Sequence, residues 1–274
     1  MPRRAPTAAL LALLALPLLG FARCGGTSSG WRLVWSDEFD GAAGASPDAA
    51  RWGFDVGTGS NGWGNGQQEY DTARPENASL DGAGHLVITS RHESYQGSSY
   101  TSARLLSKGL FSHRYGRFEA RMKLPRGQGL WPAFWLLGAD VDAVGWPACG
   151  EIDVMEYRGQ DPTRVTGSLH GPGYSGGGAI TGSQALAGGA GFDADFHVFG
   201  LEWSPDWIAW TLDGAVWQVV TPSSLPAGAR WAFDHPFFIL LNVAVGGNYV
   251  GAADPSVLPA QTLVDWVRVY EEDP

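Results

Sequence analysis

Cysteine and basic residues are scarce in this 274-residue chain. The two cysteines, Cys24 and Cys149, are too few for the disulfide framework of a small secreted domain. Lysine and arginine together number 18 against 28 for aspartate and glutamate, which gives a formal net charge of −10. This negative charge argues against nucleic acid or an anionic membrane as the partner and is compatible with a neutral substrate.

Long apolar runs are also absent beyond the N-terminus. Two arginines precede an Ala/Leu-rich run that ends at Phe21, and small residues lie where a signal peptidase would cut. We therefore predict a signal peptide at residues 1–22 and a secreted, extracellular protein without a transmembrane segment. Cys24 offers an alternative, a lipid anchor, although the preceding Arg23 is not the small residue such sites favour.

Glycine and tryptophan are abundant, with 39 and 13 copies. Residues 23–30 read as a flexible leader, and residues 31–274 contain many short alternating strands separated by Gly/Pro turns. The clearest strand, Tyr115 to Leu124, alternates apolar residues such as Phe118 and Met122 with charged ones. The pattern predicts one all-β domain, a β-sandwich jelly roll of two antiparallel sheets with a concave substrate groove.

Three carboxylates are crowded into the segment Gly150 to Glu156. Strand alternation places Glu151 and Asp153 on one face, whereas Glu156 falls on the core face, where an unpaired carboxylate costs several kcal/mol. One extra residue, a β-bulge near Val154 and Met155, returns Glu156 to the face of the other two acids. We therefore predict three acids on one sheet face.

This crowding suits a retaining glycosidase, in which two carboxyl groups lie about 5–5.5 Å apart. In this interpretation Glu151 is the nucleophile, Glu156 is the acid and then the base, and Asp153 tunes the pair. A solvated polar face and a metal-binding cluster are the alternatives that the acids alone leave open.

Aromatic and polar side chains surround the acid segment in the predicted sheet. Trp131 and Trp135 share a strand face and either stack on sugar rings or belong to the core. His170 ends a short strand that hairpin pairing would bring close to the acids. Asn242 interrupts a continuous apolar run, Phe237 to Val245, at a position expected to face the ligand.

The segment Glu151-Ile152-Asp153-Val154-Met155-Glu156, preceded by Trp131-Pro132-Ala133-Phe134-Trp135, resembles the signature of glycoside hydrolase family 16, most closely its bacterial laminarinases. Supporting matches are spread over the chain: Trp35-Ser36-Asp37-Glu38-Phe39, Trp63-Gly64-Asn65, Ser168-Leu169-His170-Gly171 and Leu241-Asn242-Val243-Ala244-Val245-Gly246-Gly247-Asn248. The resemblance implies a β-jelly roll and a retaining endo-β-1,3-glucanase. The extra residue at Met155 favours the laminarinase branch, although red-algal galactan hydrolases share it.

The resemblance also implies roles for residues outside the acid segment. The expected groove residues are Asn65, Trp131, Trp135, Trp146, His170 and Asn242. A structural calcium ion on the outer face would be held by Glu38, Asp265 and the backbone oxygen of Gly82, whereas catalysis needs no cofactor. The alternative for both carboxylates is an ordinary surface position.

Three other functions stay open at this point. Some relatives bind β-glucan without cleaving it, but they lack the acids that this chain retains. Hydrolysis of mixed-linked β-1,3-1,4-glucan is a second alternative. A galactan hydrolase acting on sulfated polymers would need a basic groove, to which Arg91, Arg117 and Arg121 could contribute. We expect a monomer in each case.

Overall fold

The computed structural model describes residues 30–273. The predicted signal peptide, Cys24 and nearly all of the predicted leader lie outside the described residues. Within the described range, no helix has the length and apolar character needed to cross a bilayer.

Seventeen strands form the framework of the described residues. The first nine are β1 (Trp31–Asp37), β2 (Gly53–Asp55), β3 (Glu69–Asp71), β4 (Ala78–Leu80), β5 (Leu86–Tyr95), β6 (Ser98–Ser102), β7 (Arg104–Leu106), β8 (Gly116–Lys123) and β9 (Leu130–Gly138). The others are β10 (Glu151–Tyr157), β11 (Arg164–His170), β12 (Ile180–Ala185), β13 (His197–Trp203), β14 (Ile208–Leu212), β15 (Ala215–Val220), β16 (Phe237–Val245) and β17 (Ala260–Glu272). The short helical segments are α1 (Val141–Val144), a π-type turn at Gly62–Gly66, and 3₁₀ turns at Gly176–Gly178, Ala187–Gly189, Pro222–Ser224 and Pro255–Val257.

The strands form two sheets, which confirms the predicted all-β jelly-roll sandwich. The seven-stranded sheet has the order β12-β11-β10-β9-β16-β7-β2. The ten-stranded sheet has the order β15-β14-β13-β8-β17-β5-β6-β3, with β1 beside β17 and β4 beside β5. All pairs are antiparallel except β3 with β6. The acid strand β10 therefore lies inside the seven-stranded sheet, between β9 and β11.

The core lies between the two sheets and follows the predicted alternation. Strand β8 alternates buried and half-buried residues along its whole length, with Phe118, Ala120 and Met122 in the core. Strand β16 is buried at all nine positions, as its continuous apolar run predicts for a central strand. The turn between β14 and β15 has positive φ at Asp213 and Gly214, as the sequence Asp-Gly favours in a two-residue hairpin.

The Gly/Ala/Ser-rich segment from Gly176 to Gly191 shows no apolar periodicity in the sequence but contains regular structure. Strand β12 runs through it and pairs with β11 from Arg164 to Leu169. Backbone hydrogen bonds to β11 supply what the side-chain pattern does not, because small residues give no clear apolar alternation.

Candidate active site

The predicted β-bulge is present in strand β10. Against β9, Asp153 pairs with Trp135 and Met155 with Phe134, so two steps on β10 face one step on β9. Val154 and Met155 consequently both enter the core. Glu156 returns to the groove face, the side of the seven-stranded sheet that points away from the core, where Glu151 and Asp153 also lie.

A glycine sets the start of the acid strand. Gly150 has φ of +70°, a conformation that most residues avoid. A Cβ at this position would lie 2.9 Å from the carbonyl oxygen of Ala232 and 2.9 Å from Cζ of Phe237. The backbone that delivers Glu151 to the groove therefore passes too close to its neighbours for a side chain.

His170 faces two of the acids. Its Nε2 lies 3.0 Å from Oδ2 of Asp153 and 3.7 Å from Oε1 of Glu151. Its Nδ1 accepts the backbone N–H of Gly176 at 3.1 Å, so a neutral imidazole carries its proton on Nε2, towards the acids. Ligand atoms of Glu151, Asp153 and His170 lie within 4.8 Å of one another, the one such cluster found in residues 30–273. These same groups could hold a cation, the alternative left open from the sequence.

Glu156 is held by two neighbours on the groove face. Trp131 donates its indole N–H to Oε1 at 3.2 Å, and Ser168 donates its hydroxyl to Oε2 at 3.4 Å. Trp131 is only 8% exposed because it packs on Tyr249, with ring centroids 4.7 Å apart. The structure therefore places Trp131 as a support for Glu156 with little ring surface open to a sugar.

Trp135 lies on the groove face next to Asn242 and Arg104. Its indole N–H donates to Oδ1 of Asn242 at 2.8 Å, so the asparagine that interrupts the apolar run of β16 faces the groove as expected. The Arg104 guanidinium lies 4.8 Å from the ring centroid of Trp135 and 4.7 Å from that of Trp63. Sequence reasoning missed Arg104 because its strand, β7, has only three residues and shows no alternation.

The two remaining predicted groove residues lie in loops. Trp146 is 49% exposed, and its ring centroid lies 6.0 Å from that of His170, at the acid end of the groove. Asn65 is exposed in the turn Gly62–Gly66, and its carbonyl oxygen accepts the backbone N–H of Asn248 at 2.8 Å. This contact ties the turn to the loop that follows β16.

Comparison with known proteins decides the family. The sequence profile described as "Glycosyl hydrolases family 16" matches residues 65–268. The chain belongs to this family. It is 43% identical to a beta-glucanase of Rhodothermus marinus over 88% of this chain and 85% of that protein. It is 40% identical to a glucan endo-1,3-beta-glucosidase of Cryptopygus antarcticus, covering 88% and 90% of the two chains.

A solved structure agrees with this assignment. The catalytic domain of an endo-1,3-beta-glucanase (laminarinase) from Thermotoga petrophila superposes with a TM-score of 0.84 at 45% identity, covering 90% of this chain and all of that one. The protein is therefore a glycoside hydrolase of family 16, and this is a retaining family.

Burial raises the pKa of all three acids of this family 16 site. Burial, and then the negative charge of Asp153, raises the pKa of Glu151 and of Glu156 to about 8. Burial alone raises the pKa of Asp153 to about 8. His170 opposes the shift at both glutamates, as do the hydrogen bonds from Trp131 and Ser168 at Glu156. The cluster therefore retains protons near neutral pH, as a site that starts with a protonated acid requires.

The residues predicted to bind calcium have other partners here. Glu38 accepts two hydrogen bonds from Arg268, at 3.0 and 2.7 Å. Asp265 forms an ion pair with Arg121. A cation that used both carboxylates would have to displace these guanidinium groups, so calcium binding would require both ion pairs to open. Calcium binding stays a prediction of the family resemblance.

Proposed function

We propose that the protein is a retaining endo-β-1,3-glucanase that hydrolyses laminarin-type β-glucans through a covalent glycosyl-enzyme intermediate. The bulge in β10 carries the proposal, because it brings Glu151 and Glu156 to one face, with Trp131 holding the second carboxyl. The relatives named as beta-glucanase, glucan endo-1,3-beta-glucosidase and laminarinase support the choice of substrate.

In the first step, a carboxylate oxygen of Glu151 attacks the anomeric carbon while Glu156 donates its proton to the departing glycosidic oxygen. In the second step, Glu156 accepts a proton from water, and this water displaces Glu151 from the anomeric carbon. Each displacement inverts the configuration, so the two together give net retention. Asp153 lies between them in sequence and on the same face, where its negative charge favours the protonated form of Glu156. His170 Nε2 lies 3.0 Å from Oδ2 of Asp153 and 3.7 Å from Oε1 of Glu151, and the charge of the protonated imidazole opposes a further rise in the pKa of Glu151.

The positions of Arg91, Arg117 and Arg121 remove the support that the sequence offered for a galactan hydrolase acting on sulfated polymers. Arg117 and Arg121 lie on β8 and Arg91 on β5, both in the ten-stranded sheet that faces away from the acids. Arg117 pairs with Glu202, and Arg121 with Asp265. The three arginines that the sequence offered for a basic groove therefore lie elsewhere in the fold.

Product analysis tests the proposal. Wild-type protein is incubated in parallel with laminarin, barley mixed-linked glucan and agarose, and proton NMR follows the first anomer released. We expect the β-anomer and a ladder of oligosaccharides from laminarin. Glu151→Gln should lower kcat by at least about 10³-fold and still bind laminarin, since nucleophile and binding surface are separate. Asp206→Asn, an exposed position remote in sequence from the acid strand, serves as the control.

Three outcomes would contradict the assignment. Unchanged hydrolysis by Glu151→Gln would exclude Glu151 as the nucleophile. Binding of laminarin by the wild type with no cleavage of any of the three polymers would favour a β-glucan-binding protein. Preferential cleavage of barley glucan or agarose would instead assign the mixed-linked or galactan alternative.

We further propose export through a signal peptide at residues 1–22, a monomeric state and a structural calcium ion. N-terminal sequencing and intact mass of the processed protein test the cut and detect any lipid on Cys24. Light scattering after gel filtration tests the monomer. Added calcium should raise the melting temperature of chelator-treated protein if Glu38, Gly82 and Asp265 bind it, because a ligand of the native state stabilises that state.

A further inference from the structure

Beside the groove acids, a pocket adjoins the acid strand on the same face of the sheet. It has a volume of about 240 Å³ and is lined by Arg158, Asp161, Arg164, Thr166, Ser183 and Tyr249. Thr166 is the register partner of Glu156 across the β10–β11 pair. Arg158 follows Glu156 by two positions, with the core residue Tyr157 between them, so it extends the same face. A glucan bound at Glu156 would therefore reach this pocket with an adjacent sugar or its substituent.

The pocket contains a cation that no carboxylate of the described residues neutralises. Arg158 is exposed, and among residues 30–273 it has no carboxylate oxygen within 4.0 Å. The second arginine differs, because Arg164 pairs with Asp161 at 3.5 Å and donates to the hydroxyl of Ser183 at 3.1 Å. The charges of Asp161 and Arg164 offset one another, which leaves Arg158 as the net positive charge of the pocket.

Tyr249 holds this cation in a fixed orientation. The Arg158 guanidinium lies 4.0 Å from the Tyr249 ring centroid, within the range of a cation–π contact. The ring itself is fixed, because it packs on Trp131 and its hydroxyl lies 2.9 Å from Oγ1 of Thr166. A guanidinium has five N–H donors, so one that contacts a ring can still present a pair of them to the paired oxygens of an oxyanion.

We propose that this pocket binds an anionic substituent, a sulfate, phosphate or carboxylate group, carried by a sugar next to the cleavage site, with Arg158 as its bidentate partner. The inference rests on the proposed hydrolysis of β-glucan. The net charge of −10 repels a chain that is charged at every sugar, whereas one local cation accepts a single charge. The pocket therefore selects sparsely substituted glucans over polyanions.

Binding is measured on protein that carries Glu151→Gln, so that the ligand stays intact. The ligands are laminarin oligosaccharides of one length, either unsubstituted, singly sulfated or singly carboxymethylated. At low ionic strength we expect the better anionic ligand to bind about tenfold more tightly than the neutral one. Adding Arg158→Gln should remove this preference, and salt should weaken it, because an exposed charge pair is screened.

The control is Arg126→Gln in the same background. Arg126 is exposed, pairs with Asp193 and does not line the pocket, so this variant should keep the preference. Comparison of the sulfated and carboxymethylated ligands identifies which anion the pocket favours.

Equal affinities for neutral and anionic ligands in the parent protein would overturn the proposal, as would a preference that survives Arg158→Gln. A preference lost equally in both arginine variants would show a general charge effect and overturn it too. Hydrolysis of unsubstituted laminarin by the wild type is measured separately. Its absence would refute the proposed glucanase function, whatever the pocket binds.

Discussion

Replacing Asp153 by asparagine should move the whole pH–rate profile to lower pH. Asp153 raises the pKa of both glutamates by its negative charge, and asparagine keeps its shape without the charge. The nucleophile Glu151 must be ionised and the acid Glu156 protonated, so their pKa values set the acidic and alkaline limbs of kcat/KM. Losing the charge of Asp153 lowers both pKa values, and both limbs should shift in the same direction.

The distance between the carboxylates gives the size of the effect. Ligand atoms of Glu151 and Asp153 lie within 4.8 Å of each other. Two unit charges at this separation interact by ~3.5 kcal/mol at an effective dielectric constant of about 20, equivalent to roughly 2.5 pH units. Because the three acids share protons and Asp153 is itself partly protonated near neutral pH, we expect an observed shift of about 1 to 2 units.

The assay measures kcat/KM for laminarin from about pH 4 to about pH 10, with Asp206→Asn as the matched control. The maximal rate of Asp153→Asn should also fall, so only the positions of the limbs are compared. Thermal unfolding at each pH shows that the variant is folded. Limbs that stay in place, or that move apart, would refute the view that the charge of Asp153 tunes the pair.

Three further predictions concern the same strand and its neighbours. Trp131→Phe removes the N–H donated to Glu156, which should raise the pKa of that acid. The alkaline limb should then move up by about 0.5 to 1 pH unit, in the direction opposite to that expected for Asp153→Asn. A downward shift would contradict the role of the indole. The pKa of Glu151 is higher in the folded protein than in the unfolded chain, so the wild type loses stability as the pH rises towards about 8. In urea unfolding, the free energy of unfolding of Glu151→Gln should therefore rise by roughly 2 to 4 kcal/mol relative to that of the wild type between about pH 5 and about pH 9. A difference that stays constant with pH would argue against a buried, protonated acid. Gly150→Ala should destabilise the fold by about 1 to 3 kcal/mol, because its Cβ would approach the Ala232 carbonyl at positive φ, and an unchanged melting temperature would show that the strand can shift.

Local sequence pattern was sufficient to predict the main core strands and the arrangement of the acids. Alternation in β8 and the apolar run of β16 identified core strands, because side chains on a strand point to opposite faces. The same alternation showed that Glu156 was out of phase with Glu151, and the cost of burying a carboxylate implied the bulge. These inferences use only residues that are close together along the chain.

Neighbours across the sheet decided what local pattern could not. Strand β12 exists because β11 pairs with it, although its small residues give little apolar signal. Trp131 and Trp135 are the same residue type on the same face of one strand, so the sequence alone does not distinguish them. In the structure, Tyr249 covers Trp131, and Arg104 packs against Trp135. The sequence determined that this protein carries three acids on one strand of an all-β domain. Only the tertiary structure decided which side chains surround those acids, Trp131, Ser168 and His170 among them, because these contacts join residues that are distant along the chain.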